Sequence, residues 1–456
     1  MARRGGRRRP PLLGRTGRVR RRRLAPVGLL AVLLGAGLTA AALIGPGVLR
    51  ATQASAEQTH PSARPAVAAP APARAAAPAA PASAAPLPAA AAAAPQAVPA
   101  QPAWQDLPPS IAATVSQFIG SQGAAGAAVA VSTGTGATPR ARYLTTVGQA
   151  AAATPWSPDM RSAFRSITKS FVGTAVLQLV AQGKLGLDDM VAKYVPTVAG
   201  VQYGGAPAGG QITVRQALEM RTGLPEFSST QGFSDQLNSD YTGAFTDDQL
   251  LGYAFGQPLN FAPGTQYEYS NTNYVLLGKV IQTVTGSPWD REVQSQILDP
   301  LGLTSVAYPG DQEPTAPVAT PYQATNAGLE SLAQVSPSMY GASGGYFGSI
   351  SDLLTWGRVL GSGTLLPASL QKERLTSVSH PADDPGSPEY DGYGLGAGLL
   401  DGWWGHTGTG LGYESLTMYQ PGTGTTVAIL INTQLDNPNG PAELFEQLEP
   451  GLAALG

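Results

Sequence analysis

The sequence has 456 residues, with 28 lysines and arginines, 30 aspartates and glutamates, and no cysteine. The lack of cysteine excludes disulfides, a thiolate nucleophile and zinc–thiolate sites. Fourteen basic residues and one acid lie in residues 1–103, which leaves 14 basic and 29 acidic residues in 104–456, a net charge of −15. A domain this acidic is a poor nucleic-acid binder, so nucleic acid is not an expected partner.

The N-terminal 56 residues have the pattern of an export segment. Residues 3–23 carry eleven arginines and no acid, and residues 24–49 form an almost entirely apolar stretch that is interrupted by two prolines. Together with the small residues at 54–56, this predicts an Arg-rich export signal over 1–56, or a signal anchor if the apolar stretch is not cleaved. We therefore expect an extracytoplasmic protein, secreted or anchored to the outer face of the cytoplasmic membrane, that touches the membrane only through this segment.

Residues 57–103 are almost entirely alanine, proline, glutamine and serine. Such a segment has too few large apolar side chains to offset the entropy lost on ordering. It is predicted to be a disordered linker, stiffened by proline, that precedes a folded domain at 104–456.

The folded domain shows an uneven order of elements. Apolar residues at helical spacing predict a first helix over 104–121, and two short strands follow. A long region of helices separated by glycine and proline comes next, and a strand-rich end and a last helix close the chain. The predicted strands are 127–131, 141–147, 394–400, 403–407, 415–420 and 426–432. The predicted helices are 104–121, 166–181, 212–218 with Thr213 as its cap, 274–284, 293–301, 351–360 and 442–455.

Regular alternation of strands and helices is absent, which argues against a doubly wound fold. The order instead predicts an α/β protein of the α+β type. An antiparallel sheet would be built from both ends of the chain and flanked by helices, with an all-helical subdomain beside it.

The first chemical motif is Ser166 with Lys169, at the start of the helix over 166–181. Residues three apart share one face of a helix. The positions that follow are apolar nearly all round, as in a buried helix. Burial disfavours the charged form of a lysine, and a neutral lysine beside a serine hydroxyl can take its proton. The pair therefore has the chemistry of an activated nucleophile.

Two further motifs follow in the chain. In extended backbone, Tyr269 and Asn271 would point the same way and could face one cleft. His406-Thr407-Gly408-Thr409 lies in the strand-rich end, and the missing side chain at Gly408 would let a substrate backbone approach that strand closely.

With Ser-x-x-Lys, Tyr-Ser-Asn and His-Thr-Gly in this order, the chain resembles the penicillin-recognising serine hydrolases. These include serine DD-carboxypeptidases, class C β-lactamases and related esterases. The similarity runs from about residue 107 to 455. It implies a β-lactamase-like fold, no metal and no cofactor, and a small-molecule or peptide substrate such as a D-Ala-D-Ala peptide, a β-lactam or an ester. A monomer is expected.

The resemblance also implies roles for the motif residues. Ser166 would form an acyl-enzyme, while Lys169 and Tyr269 would share the proton transfers, with the pKa of Tyr269 lowered by the nearby lysine. The backbone N–H groups of Ser166 and Thr409 would form an oxyanion hole. Asn271 would bind the substrate amide, and Thr407 would bind a substrate carboxylate. Gly408 would let the substrate backbone approach closely, because it has no side chain.

Other interpretations use other serines. Gly341-Ala342-Ser343-Gly344-Gly345 matches a nucleophile elbow, with Asp352 or Asp401 and then His406 in the order of α/β-hydrolases. No strand pattern precedes Ser343, so this stretch is predicted to line the cleft or turn the backbone. Ser369 has a lysine three residues later but no Tyr-x-Asn after it, and it is interpreted as the end of a surface helix.

One departure from the family pattern concerns charge. DD-carboxypeptidases often have a basic residue near the third motif, whereas here no lysine or arginine follows Arg374. A carboxylate would have to be bound by Thr407, by a protonated His406, or by an arginine from elsewhere: Arg161, Arg165 or Arg358. The expected function is that of a D-alanyl-D-alanine carboxypeptidase, with an esterase, a β-lactamase or a non-catalytic penicillin-binding sensor as alternatives.

Overall fold

A computed structural model describes residues 101–455, apart from 136–137, 313, 326–327, 334 and 381–389. The predicted export signal and nearly all of the predicted linker lie outside the described residues and stay predictions. Within the described part, no helix is long and apolar enough to cross a bilayer.

A nine-stranded sheet forms the centre of the structure, in the order β1-β3-β2-β15-β14-β13-β12-β11, with β4 paired to β3. Neighbouring strands in this sheet are antiparallel, except that β1 runs parallel to β3. Sheet strands therefore come from both ends of the domain, as predicted. The strands of the described chain are β1 Trp104–Asp106, β2 Gly126–Thr133, β3 Ala141–Ala151, β4 Thr154–Pro155, β5 Arg161–Ala163, β6 Gln202–Tyr203, β7 Ala206–Pro207, β8 Tyr322–Thr325, β9 Gly328–Ser331, β10 Phe347–Ser349, β11 Gly392–Tyr393, β12 Gly398–Leu400, β13 Trp403–Gly410, β14 Tyr413–Tyr419, β15 Thr426–Ile431 and β16 Thr433–Gln434.

Helices cover both faces of this sheet. The terminal helices α1 and α11 pack on each other and on one face, while α9 packs on the other, against β14, β15 and β2. Helix α2 packs against α6 in the helical region, so the β-lactamase-like architecture is confirmed. The α-helices are α1 Pro109–Ser121, α2 Thr168–Ala181, α3 Val214–Leu218, α4 Gln231–Ser239, α5 Asp247–Phe255, α6 Thr272–Thr285, α7 Trp289–Val293, α8 Asp299–Leu301, α9 Ile350–Ser362, α10 Ala368–Thr376 and α11 Gly440–Leu452.

The prediction that Thr213 is a helix cap is confirmed. Thr213 caps α3 in a capping box with Gln216, in which each side chain accepts from the other's backbone N–H. Gly183, just beyond the end of α2, has a φ of +68°, the left-handed conformation that glycine adopts at helix ends.

Other boundaries were wrong. Residues 104–106 form a strand, and the first helix begins only at Pro109, because proline is tolerated in the first helical turn but not inside a helix. Only residues 398–400 of the strand predicted over 394–400 are a strand, β12; residues 394–397 form the turn that connects it to β11, and Gly396 in this turn has a φ of +79°. The subdomain is not wholly helical, since it contains the β6–β7 hairpin. A π-helical stretch, Gln294–Leu298, interrupts the helix predicted over 293–301.

Candidate active site

The nucleophile motif lies on a short 3-10 helix, Arg165–Ile167, that leads directly into α2. Ser166 is half-buried, whereas its neighbours on both sides are buried. Arg165, immediately before it, has a φ of +48°, a backbone conformation that is uncommon for a residue with a side chain. The Arg165 side chain compensates with a hydrogen bond from Nε to the carbonyl of Gly410, at 2.9 Å.

Gly408 brings the third motif against this turn. A Cβ atom at position 408 would lie 2.9 Å from the Ser166 amide nitrogen and 2.6 Å from Ser415 Oγ, and closer still to the Phe164 carbonyl oxygen. Glycine is therefore needed here because the protein's own nucleophile turn packs on β13. This differs from the expectation that the space serves a substrate backbone.

Lys169 makes three contacts that match the needs of a general base. Its Nζ lies 2.9 Å from Ser166 Oγ, 2.6 Å from Asn271 Oδ1 and 2.7 Å from the Ser343 carbonyl oxygen. A neutral amine has two N–H donors and one lone pair, so two of these contacts can be donated to the carbonyl oxygens while the lone pair accepts the serine proton. Burial lowers the pKa of Lys169 to about 7, against an opposing effect of the Glu226 charge, so the neutral form is populated near neutral pH.

Tyr269 is half-buried beside this pair, with its hydroxyl oxygen inaccessible to solvent and its ring centroid 5.0 Å from Lys169 Nζ. Burial raises the pKa of Tyr269 well above its ordinary value, although a hydrogen bond with Ser166 acts in the other direction. The expected lowering of this pKa was therefore wrong, because the loss of hydration on burial is the largest effect on Tyr269. Tyr269 keeps its proton and can pass one on only as it receives another.

Asn271 is the residue just before α6, with φ −60° and ψ −29°, so it is not in the extended backbone that the sequence suggested. It reaches the cleft because Glu226 holds it. The Glu226 carboxylate accepts hydrogen bonds from the Asn271 backbone N–H, at 2.5 Å, and from Nδ2, at 3.1 Å. These bonds turn Oδ1 toward Lys169.

His406 is buried between two tyrosines. Its Nε2 lies 3.0 Å from the Tyr393 hydroxyl, and its Nδ1 lies 3.3 Å from the Tyr390 hydroxyl and 2.6 Å from the Thr407 carbonyl oxygen. Burial, and then the Lys169 charge, lower the pKa of His406 to about 3. The imidazole is thus neutral at physiological pH and does not supply the positive charge that a carboxylate would need.

Thr407 also has a partner within the protein. The Tyr390 hydroxyl lies 2.8 Å from Thr407 Oγ1 and accepts a hydrogen bond of 2.8 Å from the Thr407 backbone N–H. That N–H points away from β14. Alternate N–H groups of a strand point to the same edge, so the Thr409 N–H also points toward the cleft, as the predicted oxyanion hole requires.

The three arginines considered for carboxylate binding differ in position. Arg161 donates to the Thr315 carbonyl, and Arg358 donates to backbone carbonyls at Gly424 and Gly134, away from the cleft. Arg165 alone of the three lines the cavity beside Ser166. Its guanidinium also stacks over the ring of Tyr340, at 4.5 Å.

A small cavity of about 40 Å³ opens beside the nucleophile. Half of its lining residues are aromatic or apolar and half are polar or charged, so it suits a small group with both apolar and polar parts. The lining residues are Arg165, Ser166, Phe227, Ser228, Phe233, Asn271, Met339, Tyr340, Gly344 and Thr409.

The alternative serines do not form a second site of the expected kind. Ser343 lies in a 3-10 helix that follows another 3-10 helix, Pro337–Met339, rather than a strand, so it is not a nucleophile elbow. Its carbonyl faces Lys169, as expected for a cleft-lining segment. Ser369 and Lys372 are both exposed on α10, in agreement with a surface helix.

The structure thus brings Ser166, Lys169, Tyr269 and Asn271 together with the third motif, His406-Thr407-Gly408-Thr409. Sequence reasoning missed three side chains, Glu226, Tyr390 and Tyr393. Glu226 lies 45 residues before Asn271 and Tyr390 lies 16 residues before His406, in glycine- and proline-rich stretches without a recognisable pattern. A single sequence gives no signal for such contacts.

Comparisons with known proteins agree with this geometry. The family model described as Beta-lactamase matches residues 111–450. The structure of a D-stereospecific amidohydrolase from Streptomyces sp. is similar at 32% identity and a TM-score of 0.63, over 73% of this chain and 97% of that one. A D-amino acid amidase from Ochrobactrum anthropi SV3 has a TM-score of 0.65 at 22% identity, over 75% of this chain and 98% of that one. At that identity the likeness concerns the fold alone.

Among curated proteins, "Protein flp" of Staphylococcus aureus is 34% identical over 155 residues. The match covers 33% of this chain and only 29% of the staphylococcal protein.

Proposed function

Because this chain belongs to the β-lactamase family of serine hydrolases, we propose that it hydrolyses the amide bond on the carboxyl side of a D-amino acid. Ser166 would form the acyl-enzyme, and the leaving group would be small and uncharged. The observation that carries the proposal is the neutral, buried His406, which supplies no cation for a substrate carboxylate. The 32% identity to a D-stereospecific amidohydrolase supports the D-amino acid as the acyl group.

The geometry supports a simple path for the protons. Neutral Lys169 takes the hydroxyl proton as Ser166 Oγ attacks the carbonyl carbon, and the N–H groups of Ser166 and Thr409 stabilise the oxyanion. When the intermediate collapses, Lys169 returns the proton through the neighbouring Tyr269 hydroxyl to the leaving nitrogen, because Ser166 Oγ is now bonded to the acyl carbon. Tyr269 receives one proton as it gives another, so no phenolate forms, consistent with its raised pKa. Water then attacks the acyl carbon of the acyl-enzyme while Lys169 takes its proton. Lys169 returns this proton to Ser166 Oγ as the acyl product leaves.

A second candidate is the D-alanyl-D-alanine carboxypeptidase expected from the sequence. One observation favours it, the Arg165 guanidinium on the cavity wall, where it could attract the terminal carboxylate of a peptide. Against it stands the hydrogen bond of Arg165 to Gly410 and the stacking on Tyr340, which already occupy much of that guanidinium.

Export is part of the same proposal and is supported by the arginine-rich and apolar segments of residues 1–56. A fusion of these residues to a reporter that is active only outside the cytoplasm tests it. An inactive reporter, with the fusion recovered intact inside the cell, would contradict export.

The activity is tested with the purified protein and its Ser166→Ala variant. D-alaninamide, L-alaninamide and D-alanyl-D-alanine are supplied separately, and released ammonia or D-alanine is measured. We expect turnover of D-alaninamide by the wild type and none by Ser166→Ala, whose fold is unchanged by circular dichroism. Faster release of D-alanine from the dipeptide would favour the carboxypeptidase, and equal rates with the L-amide would refute the assigned stereochemistry.

Benzylpenicillin followed by intact-mass spectrometry separates the remaining alternatives. An adduct on the wild type alone assigns the nucleophile to Ser166. Rapid hydrolysis of the penicillin would indicate a β-lactamase. Turnover of p-nitrophenyl acetate without any amide turnover would indicate an esterase, and no reaction with any of these compounds would indicate a non-catalytic module.

A further inference from the structure

The edge of β13 next to the nucleophile lacks a full strand partner in the described part of the chain. Strand β12 pairs only with residues 403–405 of β13, through Leu400, Leu399 and Gly398. From His406 onward, no strand of the described chain pairs with β13 on this side, and Thr409 lines the cavity beside Ser166. An open strand edge offers N–H and C=O groups with which an extended peptide can pair.

Tyr390 occupies the first part of this open edge. Its hydroxyl accepts from the Thr407 N–H and bonds Thr407 Oγ1, each at 2.8 Å, so it engages both groups that could bind a substrate beyond the scissile bond. The Thr409 N–H, two residues further, points to the same edge, and Thr409 lines the cavity beside Ser166.

Close packing fixes the Tyr390 ring in this position. Its centroid lies 5.7 Å from that of Tyr393 and 5.8 Å from that of His406. On the remaining side lies Gly398, where a Cβ atom would overlap the Tyr390 ring. The side chain is buried, so moving it would expose an aromatic ring and leave the Thr407 groups without their partner.

We propose that Tyr390 is a specificity-determining residue that closes the β13 edge on the leaving-group side of Ser166 and so selects substrates with small, uncharged leaving groups. The inference rests on the proposed amide hydrolysis. A leaving group that continues as a peptide, or that carries a carboxylate, must compete with the Tyr390 hydroxyl for Thr407. Ammonia needs neither the edge N–H nor the Thr407 hydroxyl.

Two substrates with the same acyl group test this inference. D-alaninamide and D-alanyl-D-alanine differ only in the leaving group, so the ratio of their kcat/KM values isolates it. We expect the wild type to prefer the amide. Tyr390→Phe, which frees Thr407, should shift the ratio toward the dipeptide by about tenfold, the effect of one hydrogen bond. Tyr390→Ala should shift it further, because it also opens space.

Tyr143→Phe is the matched control, because Tyr143 lies on β3, across the sheet from the site. The loss of its hydroxyl should leave the ratio of the two kcat/KM values unchanged. A general loss of structure in the Tyr390 variants would lower both kcat/KM values together and leave their ratio where it was. An unchanged ratio in both Tyr390 variants, with amide turnover retained, overturns the inference alone. A wild type without amide turnover refutes the proposed function instead.

A second pair of reagents tests the role of Tyr390 if the wild type does not hydrolyse the amide. The acylation rate of Ser166 is measured with benzylpenicillin, which carries a carboxylate, and with p-nitrophenyl acetate, which carries none. Tyr390→Phe should speed the reaction with penicillin relative to the ester. If the two rates change in proportion or not at all, Tyr390 does not select against the carboxylate.

Discussion

The protonation of Lys169 should control the rate of acylation between pH 5 and 9. Its pKa of about 7, against 10.5 for an ordinary lysine, is a gap of about 3.5 pH units, or about 5 kcal/mol in favour of the neutral amine. Only about one lysine in 3,000 would be neutral at pH 7 with an ordinary pKa, but about half are with the lowered one. The acylation rate should therefore rise about tenfold for each pH unit below 7 and level off above it.

Glu226 provides the perturbation that tests this assignment. Its carboxylate lies 3.1 Å from Asn271 Nδ2, and Asn271 Oδ1 lies 2.6 Å from Lys169 Nζ, so one amide group separates the two charges by at most about 8 Å. At an effective dielectric constant of about 20 to 40, this interaction is worth about 1–2 kcal/mol. Removing the negative charge should move the Lys169 pKa down by about one unit. Glu226→Gln should therefore shift the inflection of the pH profile from about 7 to about 6.

The assay is the rate of p-nitrophenol release from p-nitrophenyl acetate, or of ammonia release from D-alaninamide, over pH 5 to 9. Glu330→Gln is the matched control, because it removes the same charge from an exposed position on β9. A profile that is flat over this range would refute Lys169 as the base. A profile that shifts equally in both variants would refute the role of Glu226, because the change would then reflect net charge alone.

Two further substitutions test the packing of the site. Gly408→Ala should remove activity, because the added methyl group would meet the backbone at Phe164 and Ser166. The same contact should destabilise the fold by about 1–3 kcal/mol or more in denaturant titration. If the variant had the stability and the rates of the wild type, the close approach at Gly408 would be contradicted. Glu414 is buried under α11, where it accepts from the Leu435 N–H, and burial raises its pKa well above the ordinary 4.5. The folded state then keeps the proton that the unfolded state releases, so stability falls as pH rises above about 4.5. Glu414→Gln should reduce the fall in Tm between pH 5 and 8; an equal fall in both proteins would show that Glu414 is not its source.

The sheet and the helices could be predicted from local patterns, and the errors also have local causes. Apolar periodicity located most helices, and the strands at both ends of the domain predicted a sheet shared between them. The errors fell at proline and glycine, as at Pro109 and Gly396, where the backbone changes conformation within a periodic stretch. The sequence did not show how deeply each face of the sheet is buried, because burial depends on which helix covers each strand.

The sequence predicted which residues form the candidate site but not their protonation states. Three motifs in a fixed order were enough to select Ser166, Lys169 and Tyr269 from the chain. The Tyr269 pKa was expected to fall but is raised, because a pKa depends on hydration and on every charge nearby.

By itself, the sequence determined the nucleophile motif, the order of the three motifs and the lack of a basic residue after Arg374. These are properties of short segments, which a chain carries in any conformation. Only the tertiary structure decided that Lys169 is neutral near pH 7, that Glu226 orients Asn271, and that Tyr390 occupies the edge of β13. Each of these depends on contacts between distant segments and on the exclusion of water, and both arise only when the chain folds.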